Sequence, residues 1–114
     1  MPDARREDCA IYAAMSVIEG RWKAVVLYKL MSKGVLRFSQ LMKEIDGVSP
    51  RMLTKQLKEL EKDGMLSRKT YSEIPPRVEY SLTDKGESIV PVLVAIFQWG
   101  TANLSHDAAD MRRE

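Results

Sequence analysis

One cysteine, Cys9, and one histidine, His106, stand among the 114 residues. A lone cysteine excludes a disulfide within the chain and leaves a free thiol or a bridge between two copies. One histidine and one cysteine so far apart give no basis for a zinc site, and neither metal nor cofactor is expected. A Cys9–His106 dyad lacks both an oxyanion hole and a third, orienting group, so no enzyme activity is expected. Gly47, Gly64, Gly86 and Gly100 are isolated, which excludes a phosphate loop or a dinucleotide-binding glycine pattern. No apolar run has the length of a membrane span, and the charged residues 1–8 do not read as a signal peptide. No membrane partner is expected, and the expected location is cytoplasmic. Excess charge is also missing. The net charge is +2, too small to argue for nucleic acid by itself, so the placement of the charges has to decide.

Hydrophobic residues make up 45% of the chain and charged residues 30%, the balance of one ordinary globular domain. The polar ends read as a flexible arm over residues 1–8 and a polar tail over 107–114, with a domain over 9–106 between them. Within that domain the order is four helices, a hairpin and a final helix. The first helix is expected over residues 9–18, stopped by Glu19-Gly20, and the second over 22–32, with Trp22 in the core. Val35-Leu36-Arg37 is a short extended piece. Ser39 is a candidate cap for a short third helix ending at Ile45, and Asp46-Gly47 is a turn. Ser49 caps the fourth helix, with Pro50 at its first position, where a missing N–H costs nothing. Residues 66–72 and 77–82, rich in Thr, Tyr, Ile and Val and parted by Pro75-Pro76, read as two strands. Thr83 caps a last helix that runs past Trp99 and bends at Pro91.

The fourth helix is the most informative segment. Leu53, Leu57 and Leu60 fall on one face, and Arg51, Lys55, Lys58 and Lys62 lie roughly opposite. Leucines that dock the helix on a core turn the cations straight outward. From Arg51 to Lys58 there are three cations and no anion, although a helix N-terminus already carries partial positive charge. An external anion offsets that cost, and on the stripe alone a solvated charged face is an equal reading. The context favours the anion. A short helix, a tight turn and a helix with a basic outer face make a helix-turn-helix, and a hairpin after it makes a winged helix. Arg68, Lys69 and Arg77 on the hairpin suit phosphates. Ser49, Thr54 and Gln56 on the helix suit phosphate or base edges, with Met52 beside them.

From Ile89 to Trp99 only Pro91 and Gln98 interrupt an apolar run. A helix apolar all round must be covered on more than one side, and a second copy of the chain is the simplest cover. The expected homodimer contacts are Ile11, Tyr12 and Met15 in the first helix and Val92, Leu93, Ile96, Phe97 and Trp99 in the last. Cys9, at the expected start of the first helix, stands where backbone N–H groups favour a thiolate, though Glu7 and Asp8 oppose it. The other reading of Cys9 is a small apolar residue packed at a helix start. The seven methionines read as core filler and helix formers, with a pocket for an apolar effector as the lesser reading of Met15 and Met31.

Several stretches together resemble the HxlR-type winged-helix transcription regulators, a branch near the MarR regulators. They are Cys9, Gly20-Arg21-Trp22-Lys23, Arg37-Phe38-Ser39-Gln40-Leu41, residues 49–57, residues 60–66, residues 75–83, Gly86 and Trp99-Gly100. The resemblance covers roughly residues 9–100. It implies a mainly α fold with a small β-hairpin, dimerising through the N- and C-terminal helices. It implies double-stranded DNA as partner, residues 50–62 as recognition helix and 66–82 as wing. It also matches Cys9 to a cysteine that some members use to sense quinones, aldehydes or oxidants. The family often has proline after that cysteine, where this chain has Ala10. The alternative function is a winged-helix interaction module whose basic face docks an acidic protein.

Overall fold

Caps and apolar stripes divide the described residues into nine elements. The computed structural model describes residues 4–104. In chain order they are α1 (Ala4–Ile18), α2 (Lys23–Lys33), β1 (Leu36–Arg37), α3 (Phe38–Glu44), α4 (Pro50–Lys62), β2 (Leu66–Tyr71), β3 (Arg77–Leu82), α5 (Asp84–Ser88) and α6 (Val90–Asn103). The architecture is mainly helical with a small antiparallel sheet, a winged helix-turn-helix.

The α3–α4 unit is set by local chemistry at both ends of α4. Ser49 Oγ accepts the Met52 N–H at 3.1 Å, and Pro50 occupies the first turn. At the other end Gly64 adopts φ +77°, a left-handed turn that a side chain resists. The Gly64 N–H then donates to Glu61 O and the Met65 N–H to Leu60 O, so the last carbonyls of α4 are satisfied within the turn. α5 closes over the same corner: Lys85 Nζ donates to Asp63 O at 2.7 Å and Thr83 Oγ1 to Gly64 O at 2.5 Å. Thr83 caps α5, accepting from Gly86 N at 3.0 Å.

The core is built where the inner faces of α2, α3 and α4 meet the sheet. Val26, Leu27, Leu41, Leu53, Leu57, Leu60 and Leu66 are its most deeply buried members. The three leucines of α4 are all inside, as their spacing requires. Trp22 is half-buried against this core, and its ring tip lies 3.7 Å from where a Cβ on Gly47 would stand, beside the helix-turn-helix corner.

Four features differ from the sequence expectations. The hairpin is part of a three-stranded sheet, ordered β1-β3-β2, because Leu36 pairs with Tyr80 and Arg37 with Glu79. α3 starts at Phe38, capped from Arg37, whose N–H donates to Gln40 Oε1 at 2.8 Å, rather than at Ser39. The last helix is two helices: Pro91 supplies no N–H to the carbonyl four residues back, so α5 ends at Ser88 and α6 starts afresh at Val90. α1 starts at Ala4, so residues 4–8 of the expected arm are helical; Arg5 to Asp8 contain no helix breaker. His106 and the tail 107–114, with residues 1–3, lie outside the described residues.

Candidate nucleic-acid interface

α4 rests on Leu53, Leu57 and Leu60, so 3.6-residue periodicity sends Arg51, Lys55, Lys58 and Lys62 outward, and all four are exposed. The flanking polar groups are partly committed. Thr54 Oγ1 donates to Pro50 O at 2.8 Å, and Gln56 Nε2 to the Met52 sulfur at 3.2 Å. The serine cap uses Ser49 Oγ as an acceptor. Met52 and Gln56 therefore form one half-buried flank, and Thr54 lies on the other, facing the wing.

Strand pleating sorts the wing cations onto two faces. Arg68 pairs across the ladder with Tyr80, so both share the face toward α4. There, Thr54, Lys58, Glu61, Arg68 and Tyr80 line a cleft of about 380 Å³. The reverse face carries Lys69, Tyr71, Arg77 and Glu79. The Arg77 guanidinium lies 4.0 Å from the Tyr71 ring centroid and Lys69 Nζ 4.8 Å from it. Arg77 also meets Glu73 at 3.4 Å and Glu79 at 3.7 Å. Of the sequence-assigned phosphate ligands, Lys58 and Arg68 are thus brought together beside α4. Arg77 is held inside the wing as a clasp, with a side chain only 28% exposed.

One residue that matters to this surface was missed from sequence. Lys23, in the first turn of α2, is buried, and its Nζ lies 3.6 Å from Glu59 Oε1 on α4. A desolvated cation at a helix N-terminus needs such a carboxylate. Only the pairing across 36 positions identifies it; the local sequence gives no signal.

The expected contact residues of α1 and α6 are exposed with one exception. Ile11 is 60% exposed, Tyr12 73%, Phe97 55% and Trp99 61%; Leu93, at 3%, belongs to the core of its own chain. Every residue from Arg5 to Ser16 is exposed, and α1 meets the core only through Val17 and Ile18. Between α2 and α6, residues Val25, Tyr28, Leu93, Ile96 and Phe97 help to line an apolar groove of about 370 Å³, with Tyr28 and Phe97 stacked at 5.7 Å. Cys9 is exposed and lies in the second turn of α1, not at its start, which removes the helix-terminus argument for a thiolate. Among the described residues no cluster of His, Cys, Asp and Glu could hold a metal, and no helix is long and apolar enough to cross a membrane.

Residues 17–108 match the family model described as HxlR-like helix-turn-helix. An HTH-type transcriptional regulator of Methanothermobacter thermautotrophicus is 46% identical over 98 residues, covering 86% of this chain and 74% of that protein. Among solved structures, the redox regulator HypR in its reduced form superposes with a TM-score of 0.79 at 37% identity, covering 82% of this chain and 92% of HypR. The reduced form of the transcriptional regulator YodB from Bacillus subtilis superposes with a TM-score of 0.70 at 31% identity, covering 88% and 92%.

Proposed function

The chain belongs to the HxlR-like helix-turn-helix family, and from that premise we propose how it acts as a DNA-binding transcriptional regulator. Two copies form a dimer and set their α4 helices in successive major grooves, about 34 Å apart, on a near-palindromic site. The observation that carries this reading is the outer face of α4, where four exposed cations stand opposite three buried leucines. Arg51 and Lys55 lie closest to base edges, with Met52 and Gln56 beside them; Ser49 and Thr54 flank the backbone. Lys58 and Arg68 take phosphates from the cleft between α4 and the wing, and Lys69 adds charge on the wing's far side.

The dimer is supported by complementary surfaces. An apolar groove between α2 and α6 and an α1 lifted off its own core are both left uncovered in one copy. A two-fold arrangement covers both. Cys9 is proposed to report electrophiles or oxidants. Its thiol is exposed on that same α1, and by periodicity it shares a side with Tyr12 and Ala13, Tyr12 being one of the expected dimer contacts. Alkylation, a mixed disulfide or a bridge between subunits at this point shifts one copy against the other and changes the spacing of the α4 helices. The apolar groove also suits an apolar effector, and the cytoplasm suits a regulator of this kind.

The test is selection of DNA fragments by the purified protein, followed by salt elution. Retention of a near-palindromic sequence, released as salt rises, supports the reading. Retention of an acidic protein but of no DNA favours the interaction-module alternative.

A further inference from the structure

The apex of the wing is apolar. β2 and β3 are joined by Ser72-Glu73-Ile74-Pro75-Pro76, and Ile74 is fully exposed, the most solvent-open large apolar residue among the described residues. Hairpin apices are usually closed by Gly, Asn or Asp, which supply the turn and face water. Here an isoleucine is followed by two prolines, which fix the backbone and offer no N–H to water or phosphate. The apex is also stiffened from below. Arg77 lies over the Tyr71 ring, with Lys69 near the same ring, and Glu73 is tied to Arg77. Glu73 and Glu79 both meet Arg77, so with Lys69 the charges beneath the apex balance, and the point itself is apolar.

Resting on the reading of α4 as the major-groove helix, we infer that Ile74, backed by Pro75, is a minor-groove contact that reads the duplex by apolar fit. The dimensions suit this. Six strand residues carry the apex roughly 20 Å from the end of α4, and neighbouring major and minor grooves lie about half a 34 Å turn apart. Apolar side chains entering a minor groove pack on its floor or part the base step there. The guanine exocyclic amine is the one donor on that floor and obstructs such packing. A flat, donor-free A·T step is therefore the site Ile74 fits.

An apolar contact releases no counterions, which separates it from a phosphate contact. The experiment measures affinity for the selected operator against salt for the native protein, Ile74→Ser, Ile74→Leu and Arg68→Ala. It is repeated on operator in which diaminopurine replaces the adenines under the wing, adding an amine to the floor. Ile74 is exposed, so thermal melting of its variants is expected to match the native protein. Ile74→Ser is expected to lose roughly tenfold in affinity with an unchanged salt slope, and Ile74→Leu to regain most of it, whereas Arg68→Ala flattens the slope. Diaminopurine is expected to weaken the native protein and leave Ile74→Ser unaffected. Native-like binding by Ile74→Ser, a loss that comes with a flattened slope, or equal sensitivity of both proteins to diaminopurine overturns the inference while leaving the regulator reading in place. If the native protein selects no DNA, that reading fails and this inference falls with it.

Discussion

Lys55 stands in the middle of the cationic face of α4, and its side chain is exposed above the leucines. Lys55→Ala therefore removes a charge without opening a cavity. Stability is expected to stay within about 0.5 kcal/mol of native. Operator affinity is expected to fall, by about 1–3 kcal/mol if the ammonium reads a base edge. A phosphate role predicts instead a uniform loss on all sequences, with the salt slope flattened by about one. Unchanged affinity and slope remove Lys55 from the interface. Gly86 is constrained by packing, not by φ: a Cβ there would lie 2.0 Å from the Met65 carbonyl oxygen, which accepts the Thr83 N–H. Backbone cannot move aside as a flexible side chain does. Gly86→Ala is expected to cost about 3 kcal/mol and to lower Tm by on the order of 10 °C in thermal melts. For Cys9 the measurement is operator affinity before and after diamide. Release by the native protein and not by Cys9→Ser is expected; equal behaviour of the two assigns the response elsewhere.

At the scale of elements, α2 and α4 are joined by Lys23 and Glu59, and the pair is asymmetric. The Lys23 side chain is 10% exposed and that of Glu59 is 42% exposed. Removing the lysine leaves a carboxylate on a half-open side chain, its Oε2 buried without a partner; removing the carboxylate strands an ammonium deeper inside. Lys23→Met is thus expected to cost less in denaturant unfolding than Glu59→Leu, which costs about 1–2 kcal/mol after allowance for solvent screening. Equal costs would show that the pair acts through packing alone. The same contrast explains what was legible beforehand. α4 was readable because its cap, its proline and its leucine stripe are all local signals. The wing strands were readable from composition. β1 was seen only as an extended piece, since two residues become a strand only through β3. The break at Pro91 followed from proline chemistry, but whether α6 bends or restarts depends on packing. The start of α1 was misplaced because charged residues look alike in a solvated helix and in a loose arm. The clasp around Arg77 was invisible because its partners come from across the hairpin, and Leu93 was assigned to a partner because an all-apolar helix does not declare which face its own core takes.

For the whole molecule, the described residues extend 57 × 35 × 22 Å, with α1 largely uncovered by its own chain. Exposed Ile11, Tyr12, Met15, Phe97 and Trp99 form more apolar surface than a stable single copy commonly leaves open. Sedimentation at micromolar concentration is expected to give a dimer, with a Tm that rises with protein concentration because association stabilises the folded state. A monomer with a concentration-independent Tm would assign that surface to another partner.

The surfaces offered for pairing, on α1 and α6, share no residue with the cationic face of α4. In the proposed dimer, a copy altered only on α4 therefore keeps its ability to pair. In a cell that makes both forms in equal amounts, half of the pairs formed at random are mixed and a quarter are wholly altered, by simple combinatorics of a two-fold assembly. Each mixed pair grips its operator with one competent half. An allele carrying Lys55→Ala is thus expected to be dominant over the native gene, whereas an allele whose product cannot fold is expected to be recessive.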